Sequence, residues 1–573
     1  MISVLRARSR GAGRAAGTGS RQARLIDGGL VWSAFACVLA AGLAYLLWKG
    51  RGNALFYDEW SWIEFRRSGL HAILSSYNQH LLLVPLAAYQ LLIRTVGLGH
   101  YWVYRLIAAL AHLGCAAVVF AFARRRIGAI ALLIAIPVVF LGSGWEFVLW
   151  GVNFGFTASI ALCIAALLAL DKQDRSGDAV AAGLLLLALA FSEYAVLFSV
   201  GIAAELSWRD RRPTRAWVWA GPLALYAAWW LAYYQPTDAA TDIAAMPKFV
   251  VNMASSAAGG LFGRDIYDGR AILAVVVLFL GWRMIRCRAL SPRLVGLSVT
   301  LGLFWLVVAY GRAAIGEPYL STYIYTGVVM IVLIAAEACR GTEPGAKTTA
   351  FAALLALLAL LGNLQAMNGG ESYLHTGSRT VTAELTALQL ARATAPAGLV
   401  LDPVYGPQVL AGPYFAATRA LRSTAADSLP QLLQSPERER AAADSVLVRA
   451  GEVTVAGVAG PIRSSSSPPI VDRVHGGVDT THGSCVQFIP NQAGASLELL
   501  QPATGLALRR AATTRIEIRA RRFASGFPPA VLASPAGTRT VVIRTVADGS
   551  DRPWHLRIST PRALTACSLA RTK

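Results

Sequence analysis

The chain has 573 residues, of which 55% are hydrophobic and 15% charged, and its mean hydropathy is +0.49. Soluble domains carry about 25% charged residues, so one soluble domain and a disordered chain are both excluded. Apolar runs of about 20 residues recur from residue 29 onward, the pattern of a polytopic membrane protein. In that setting the formal net charge of +21 first reports charge sorting between loops and needs no nucleic acid to explain it.

Met1–Asp27 holds six Arg and one acid. The apolar run Gly29–Trp48 that follows exceeds a signal-peptide core of about 7–15 residues. It reads as a retained first span, with residues 1-28 as a basic cytoplasmic N-terminus. Arg124, Arg125 and Arg126 close the span Trp102–Ala123 on the cytoplasmic side, which keeps Lys49 to Tyr101 outside. Leu81–Leu98, with Pro85, Gln90 and Arg94, then reads as a juxtamembrane helix, and external juxtamembrane helices are expected over 58-98. Ile127–Leu149 goes out, and Asn153–Leu170 returns to Lys172 and Arg175. Ala179–Ser207 must leave and return within its own length, as two short helices hinged near Ser192, Glu193 and Tyr194. Helices that short form a partial pair buried in protein. Trp217–Tyr234 goes out and Gln235–Arg270 is a long external loop. Ala271–Arg283 returns, Leu294–Arg312 goes out, Tyr323–Cys339 returns and Thr348–Gln365 leaves. The sum is about 11 helices over residues 29-366, N-terminus inside and C-terminus outside.

Residues 367-573 change character: turn-rich punctuation separates short alternating runs such as Val446–Val448, Thr514–Ile518 and Thr540–Thr545, which read as strands. Ser378–Thr394 reads as a helix leading out of the membrane, and Ser464–Pro469 as a low-complexity loop. The expected fold class is therefore a polytopic α-helical membrane protein with a C-terminal β-rich extracytoplasmic domain. Of seven Cys, only Cys485 and Cys567 fall in that domain, in an oxidising compartment, and they are expected to pair.

Candidate chemistry concentrates outside. Phe56-Tyr57-Asp58-Glu59-Trp60 sets two adjacent carboxylates at the membrane surface, where they need a role or a partner. Alternatively they cap an amphipathic helix over Trp60–Tyr77, whose Trp60, Ile63, Leu70, Ile73, Leu74 and Tyr77 share one face with Arg66 and Arg67 alongside. External cations able to hold an anionic group are Arg105, Arg264, Arg270 and Arg312, with Tyr323 nearby; their bland roles are snorkelling, and for Arg264 a local pair with Asp265. Glu146 and Glu193 can hold a substrate hydroxyl or accept a helix-end N–H. A metal site is not expected, because His71, His80 and His100 have no tight ligand spacing with Asp58. The span tryptophans fit an aromatic belt, with sugar stacking by Trp145 or Trp150 as the alternative.

A first span, an external Asp-Glu, a juxtamembrane helix pair and a second span entered through Arg105 resemble the GT-C superfamily of membrane glycosyltransferases. The similarity is to the branch with the protein O-mannosyltransferases and the aminoarabinose transferase of lipid A. Pro85, Gly97 and Arg105 match that family's landmarks around the second span, and the pair at Ala179–Ser207 matches its two short helices. The chain departs at the tip of that pair, which reads Ser192-Glu193-Tyr194 where relatives often carry Lys, and at Thr322, which precedes Tyr323 where some relatives carry Arg. The resemblance implies that Asp58, helped by Glu59, is the catalytic base. The leaving phosphate of such a reaction needs cations, for which Arg105, Arg264, Arg270 and Arg312 with Tyr323 are the candidates, and Glu193 and His80 complete the substrate-binding set. The implied donor is a polyprenyl-phosphate-linked sugar; the implied acceptor is a cell-envelope glycan, lipid or protein. Composition rich in Ala, Leu, Gly and Arg points to a bacterial source and so to its inner membrane, and no cofactor is assigned. The rivals are a catalytically inactive GT-C-like scaffold and a polyprenyl-linked glycan transporter or flippase. Transport is disfavoured because the spans carry almost no acids at mid-depth.

Overall fold

A computed structural model describes residues 15–65, 69–209, 213–235, 241–287, 290–342, 345–510, 516–535, 537–546 and 552–570. Arg66 and Arg67 lie outside the described residues, as do Met1–Arg14 of the basic N-terminus. The chain divides into two compact units: Met1–Arg51 with Arg67–Leu92 and Trp102–Leu374, and Gly52–Arg66 with Ile93–Tyr101 and His375–Lys573.

The first unit is helical. Among the described residues, six stretches are long and apolar enough to cross a membrane: Gly29–Lys49, Trp102–Val139, Gly151–Leu170, Pro292–Arg312, Ser321–Ala338 and Ala346–Leu390. The chain is thus a polytopic helical membrane protein. Trp102–Val139 is two helices, Trp102–Ile127 and Ala131–Val139, joined by one 3-10 turn after the Arg124–Arg126 run. Beyond Val139 the chain is broken into the short helix Trp145–Leu149 flanked by 3-10 turns. The short pair is Arg175–Phe191 and Tyr194–Arg209, its first helix capped by Asp174, which accepts the Gly177 N–H at 2.6 Å. Trp217–Tyr233 and Ile266–Cys287 follow.

The loop expected over Gln235–Arg270 contains a further helix, Met246–Gly260. Its buried face is Ser255, Ser256, Ala257, Ala258, Gly259 and Gly260. Small residues let helix backbones approach closely and bury the segment with little apolar bulk, so hydropathy does not reveal it.

One end of this unit is tied by charge. Arg126 donates to Glu337 at 2.6 Å and pairs with Asp171 at 3.2 Å. Arg293 meets Asp171 at 3.4 Å and Glu205 at 2.7 Å, and donates to the Leu167 carbonyl at 2.7 Å. The Arg126 side chain is 2% exposed and that of Glu337 is 0% exposed. These residues belong to the helices Trp102–Ile127, Tyr194–Arg209, Pro292–Arg312 and Ser321–Ala338 and to the cap of Phe154–Leu170. Breaking such a buried pair from one side costs about 3–5 kcal/mol, because a charge is left behind.

The second unit combines helices with sheets. Two helices, Asp58–Phe65 here and Leu70–Leu74 in the first unit, correct the expectation of one interfacial helix over Trp60–Tyr77. Gly69 between them has φ +97°, a conformation that interrupts a helix and suits glycine. Trp60, Trp62 and Ile63 are buried, so the first helix is a packing element and not a surface float.

A hairpin of β1 (Val400–Asp402) and β2 (Gly406–Leu410) comes next, followed by helices Ala411–Leu421, Leu429–Gln434 and Glu437–Arg449. Val446–Val448 belongs to the last of these helices, which corrects its reading as a strand. Ten strands then form two antiparallel sheets: β3 (Val453–Val458), β4 (Ile470–His475), β5 (Gly477–His482), β6 (Cys485–Pro490), β7 (Ser496–Leu500), β8 (Leu506–Arg510), β9 (Glu517–Arg521), β10 (Thr540–Thr545), β11 (His555–Ser559) and β12 (Leu564–Ser568). Their orders are β3-β10-β8-β12-β6-β5 and β4-β7-β11-β9. Alternate residues are buried along β11 (Leu556, Ile558) and β9 (Ile518, Ala520), as in a two-layer sandwich. Cys485 and Cys567, opposite one another on β6 and β12, form a disulfide. Asp444 on helix Glu437–Arg449 accepts the N–H groups of Arg522, Phe523 and Ala524 at 2.8–3.1 Å, which fixes the loop after β9. Burial raises the Asp444 carboxyl above the usual carboxylate range, against the pull of those N–H groups.

Candidate functional site

In the second unit the acidic pair splits into two roles. Glu59 is completely buried. One oxygen accepts the Phe56 N–H at 2.8 Å and the other accepts the Tyr101 hydroxyl at 3.0 Å. Those bonds brace the turn before helix Asp58–Phe65, where Tyr57 sits at φ +46°. Left-handed backbone at a bulky residue is uncommon and persists where its surroundings hold it. Asp58, the next residue, is half-buried, and its Oδ1 accepts from the Gln408 side chain on β2 at 3.3 Å. Glu64 on the same helix accepts the Leu410 N–H at 3.2 Å, which docks the helix on β2. Of the two adjacent carboxylates, Asp58 is thus the one with accessible surface.

In the first unit a cavity of about 470 Å³ is lined by Trp145, Glu146, Arg264, Tyr319, Ser321 and Gly370, among others. Three polar connections shape it. Glu146 accepts the Ser321 hydroxyl at 3.1 Å and the Thr322 N–H at 3.2 Å, so it caps the start of helix Ser321–Ala338, while its own N–H donates to Ser321 Oγ at 2.9 Å. Asn363, fully buried, accepts the Ser143 N–H at 3.0 Å and donates to the carbonyls of Leu261 and Ala359 at 3.1 and 3.0 Å. Asp265 accepts the N–H groups of Tyr267 and Asp268 at 2.9 and 3.1 Å, as the cap of helix Ile266–Cys287. Arg264 is exposed and, among the described residues, makes no ion pair within 4.0 Å. Its local pairing with Asp265 is therefore not formed.

The other sequence candidates in this unit take separate positions. Arg105 is buried and donates to the Leu47 carbonyl at 2.7 Å, closing the C-terminal end of the first helix. His80 Nδ1 lies 2.5 Å from Glu193, and Ser192 Oγ donates to the other Glu193 oxygen at 3.2 Å. Burial pushes the Glu193 carboxyl up, but the neighbouring His80 outweighs it and holds the group below the usual range. His80 is presented by a tight turn, Tyr77 and His80 exchanging backbone bonds across Asn78 and Gln79, both at positive φ. Arg270 donates to the Asn252 side chain at 3.3 Å and lies over the Tyr267 ring. Arg312 is close enough to Tyr323 to act on it electrostatically, as is Glu146. Among the described residues, no group of three or more His, Cys, Asp or Glu is arranged to hold a metal ion.

Gln408 and Tyr101 were invisible from sequence, since each meets the acidic pair across a long chain separation. Ser321 and Asn363 gave no signal either. The Gly369-Gly370 pair inside a long helix was the one available hint, because adjacent glycines cost helix stability and need a packing reason.

No protein-family model matches the chain. No curated protein matches it either. Among solved structures it is similar to that of ArnT from Cupriavidus metallidurans bound to undecaprenyl phosphate, with a TM-score of 0.44 and 14% sequence identity, over 70% of this chain and 88% of that one.

Proposed function

We propose that the chain is a GT-C-type integral-membrane glycosyltransferase, moving a sugar from a polyprenyl-phosphate-linked donor to a cell-envelope acceptor on the extracytoplasmic side. The observation that carries this reading is the acidic turn: a half-exposed Asp58 beside a buried, fully engaged Glu59, directly after a membrane span. In this reading the buried carboxylate is the support, and the half-exposed one, held by Gln408, is the one that meets substrate.

In this mechanism Asp58 takes the proton of the acceptor hydroxyl as its oxygen bonds to the anomeric carbon. The anomeric carbon–oxygen bond to phosphate breaks, and its electron pair leaves on the phosphate. One base and no covalent nucleophile correspond to inversion at that carbon. Within the first unit, Arg264 is the cation best suited to a lipid phosphate, since no carboxylate among the described residues neutralises it. Arg270 and Arg312, at neighbouring helix ends, supply further positive charge. Arg105 and Glu193 support local structure in this reading, through the first helix end and the His80 turn.

The test is transfer of labelled sugar by purified Asp58→Asn in a membrane mimetic. Loss of a positioned general base lowers the rate by about 10²–10⁴-fold. Wild-type turnover in Asp58→Asn overturns the assignment.

A further inference from the structure

We propose that Gln408 is the positioning residue of Asp58, kept for the reaction and at no gain in stability; this rests on the transferase reading and adds a residue to it. Gln408 lies on β2, 350 residues from Asp58 in the chain, and its Nε2 donates to Asp58 Oδ1 at 3.3 Å. A carboxylate only accepts, so the amide nitrogen is the end that faces Asp58 and the amide oxygen turns away. That oxygen, Oε1, is buried and has no hydrogen-bond partner among the described residues. Buried polar atoms are nearly always paired, and a lone buried acceptor costs stability. A side chain that makes one bond and strands its other end is a poor way to hold a fold together. It is an understandable way to hold a carboxylate, since such costs concentrate where function demands them.

The hairpin that carries Gln408 is fixed against the helix that carries Asp58. Glu64 accepts the Leu410 N–H at 3.2 Å, which sets β2 against helix Asp58–Phe65. Just past β2, the buried Tyr414 ring meets Trp60 edge-on at 5.8 Å between centroids. Asp402 accepts the Val404 and Tyr405 N–H groups at 2.5 and 2.7 Å and so shapes the turn between β1 and β2. The nearby charges are thereby engaged: Glu64 and Asp402 by these bonds, Glu59 by Phe56 and Tyr101, and Arg438 by the Tyr405 hydroxyl at 2.9 Å. Gln408 thus meets Asp58 from a set place. Its donor type also suits a base. A Lys or Arg there would make a charge-assisted bond and weaken the basicity of the carboxylate, whereas a neutral amide orients it and leaves its charge in place. Orientation matters because the receiving oxygen must come within about 2.6–3.2 Å of the proton it takes.

The experiment uses the full purified chain in lipid nanodiscs. Gln408→Met keeps the length of the side chain without its amide. Its unfolding midpoint should equal or exceed that of the wild type, since the unpaired oxygen leaves together with the nitrogen. Infrared titration, with the Asp58 band identified by its loss in Asp58→Asn, should place the Asp58 midpoint at a pH about 0.5–1 higher in Gln408→Met, because a bond to the charged form is gone. Transfer from undecaprenyl-phosphate-linked labelled glucose, mannose or arabinose should lose about 10–100-fold in kcat, with the KM of the donor lipid within about twofold. Gln408→Glu should be as slow near about pH 8, where two carboxylates repel, and recover towards wild type near about pH 5.5, where a protonated Glu donates as the amide does. An unmoved Asp58 midpoint, an unfolding midpoint lowered by Gln408→Met, or a ratio of Gln408→Glu to wild type that is flat in pH overturns the positioning role. The transferase reading fails differently: Asp58→Asn turns over like the wild type, or the wild type transfers none of these sugars, while the infrared shift in Gln408→Met persists.

Discussion

The helix Ser321–Ala338 carries a carboxylate contact at each end, and the two ends behave differently. At its C-terminal end Glu337 is buried against Arg126, and Asp171, Glu205 and Arg293 complete a closed ionic cluster in which each charge has an opposite neighbour. At its N-terminal end Ser321 and Thr322 bind Glu146 at the cavity wall, where Arg264 is exposed and makes no ion pair among the described residues. The two ends are about 24 Å apart at 1.5 Å per residue. Similar residue types therefore do opposite work on one helix. Where charges are matched and buried they hold helices together; where one cation is left unmatched beside a cavity, it is available to an anion.

That contrast can be broken by substitution. Glu337→Ala should give the largest drop in the unfolding midpoint of the purified chain, about 1–3 kcal/mol, because buried Arg126 loses its nearest carboxylate and keeps only Asp171. A double change to Arg126→Met with Glu337→Leu should recover most of that loss, since an apolar pair of similar volume carries no desolvation penalty. If the single change is silent, the cluster is not the tie described. Gly370→Ala should come next, at about 1–3 kcal/mol, by forcing the Trp145 ring off the helix. Arg264→Ala should shift the unfolding midpoint by no more than about 0.5 kcal/mol, as an exposed residue without an ion pair, yet, under the proposed function, weaken binding of a polyprenyl-phosphate lipid. A stability loss in Arg264→Ala as large as that of Glu337→Ala would erase the distinction between the two ends.

The smallest effect lies in the second unit. Glu437 accepts the Gly526 N–H at 2.8 Å, and backbone donors there outweigh its partial burial to hold its carboxyl below the usual range. A depressed folded value means a stabilising contribution that is present above the unfolded value of about 4.3 and is lost as pH falls through the folded one. The difference in melting temperature between wild type and Glu437→Gln should therefore be positive at pH 7 and vanish near pH 3.

How far the sequence could be read depended on which force shaped each part. Spans were legible because lipid demands long uninterrupted apolar runs. Helix Met246–Gly260 was not, because it is buried through Ala, Ser and Gly, whose contribution is close approach and not hydropathy. Val446–Val448 looked like a strand in isolation. The alternating charges of Glu437-Arg438-Glu439-Arg440 just before it, with an Arg440–Glu437 pair at i,i+3, were the helix signal that outweighed it. The acidic pair was legible as a feature but not as a division of labour, since Tyr101, which engages Glu59, is 42 residues away. The closed cluster was legible only as basic loops. Its acids were scattered among spans, and nothing local links Arg126 to Glu337.

That separation also bears on how the protein is made. Arg126 and Glu337 are 211 residues apart, whereas Arg126 and Asp171 are 45 apart. At a synthesis rate of about 5–20 residues per second, Arg126 emerges roughly 10–40 s before Glu337 exists but only about 2–9 s before Asp171. Asp171 is thus the earlier partner in time, able to pair with Arg126 before the last helices arrive. The closed cluster records the order of its own assembly, and a chain lacking Asp171 is expected to suffer first in yield during insertion and only afterwards in the stability of the finished protein.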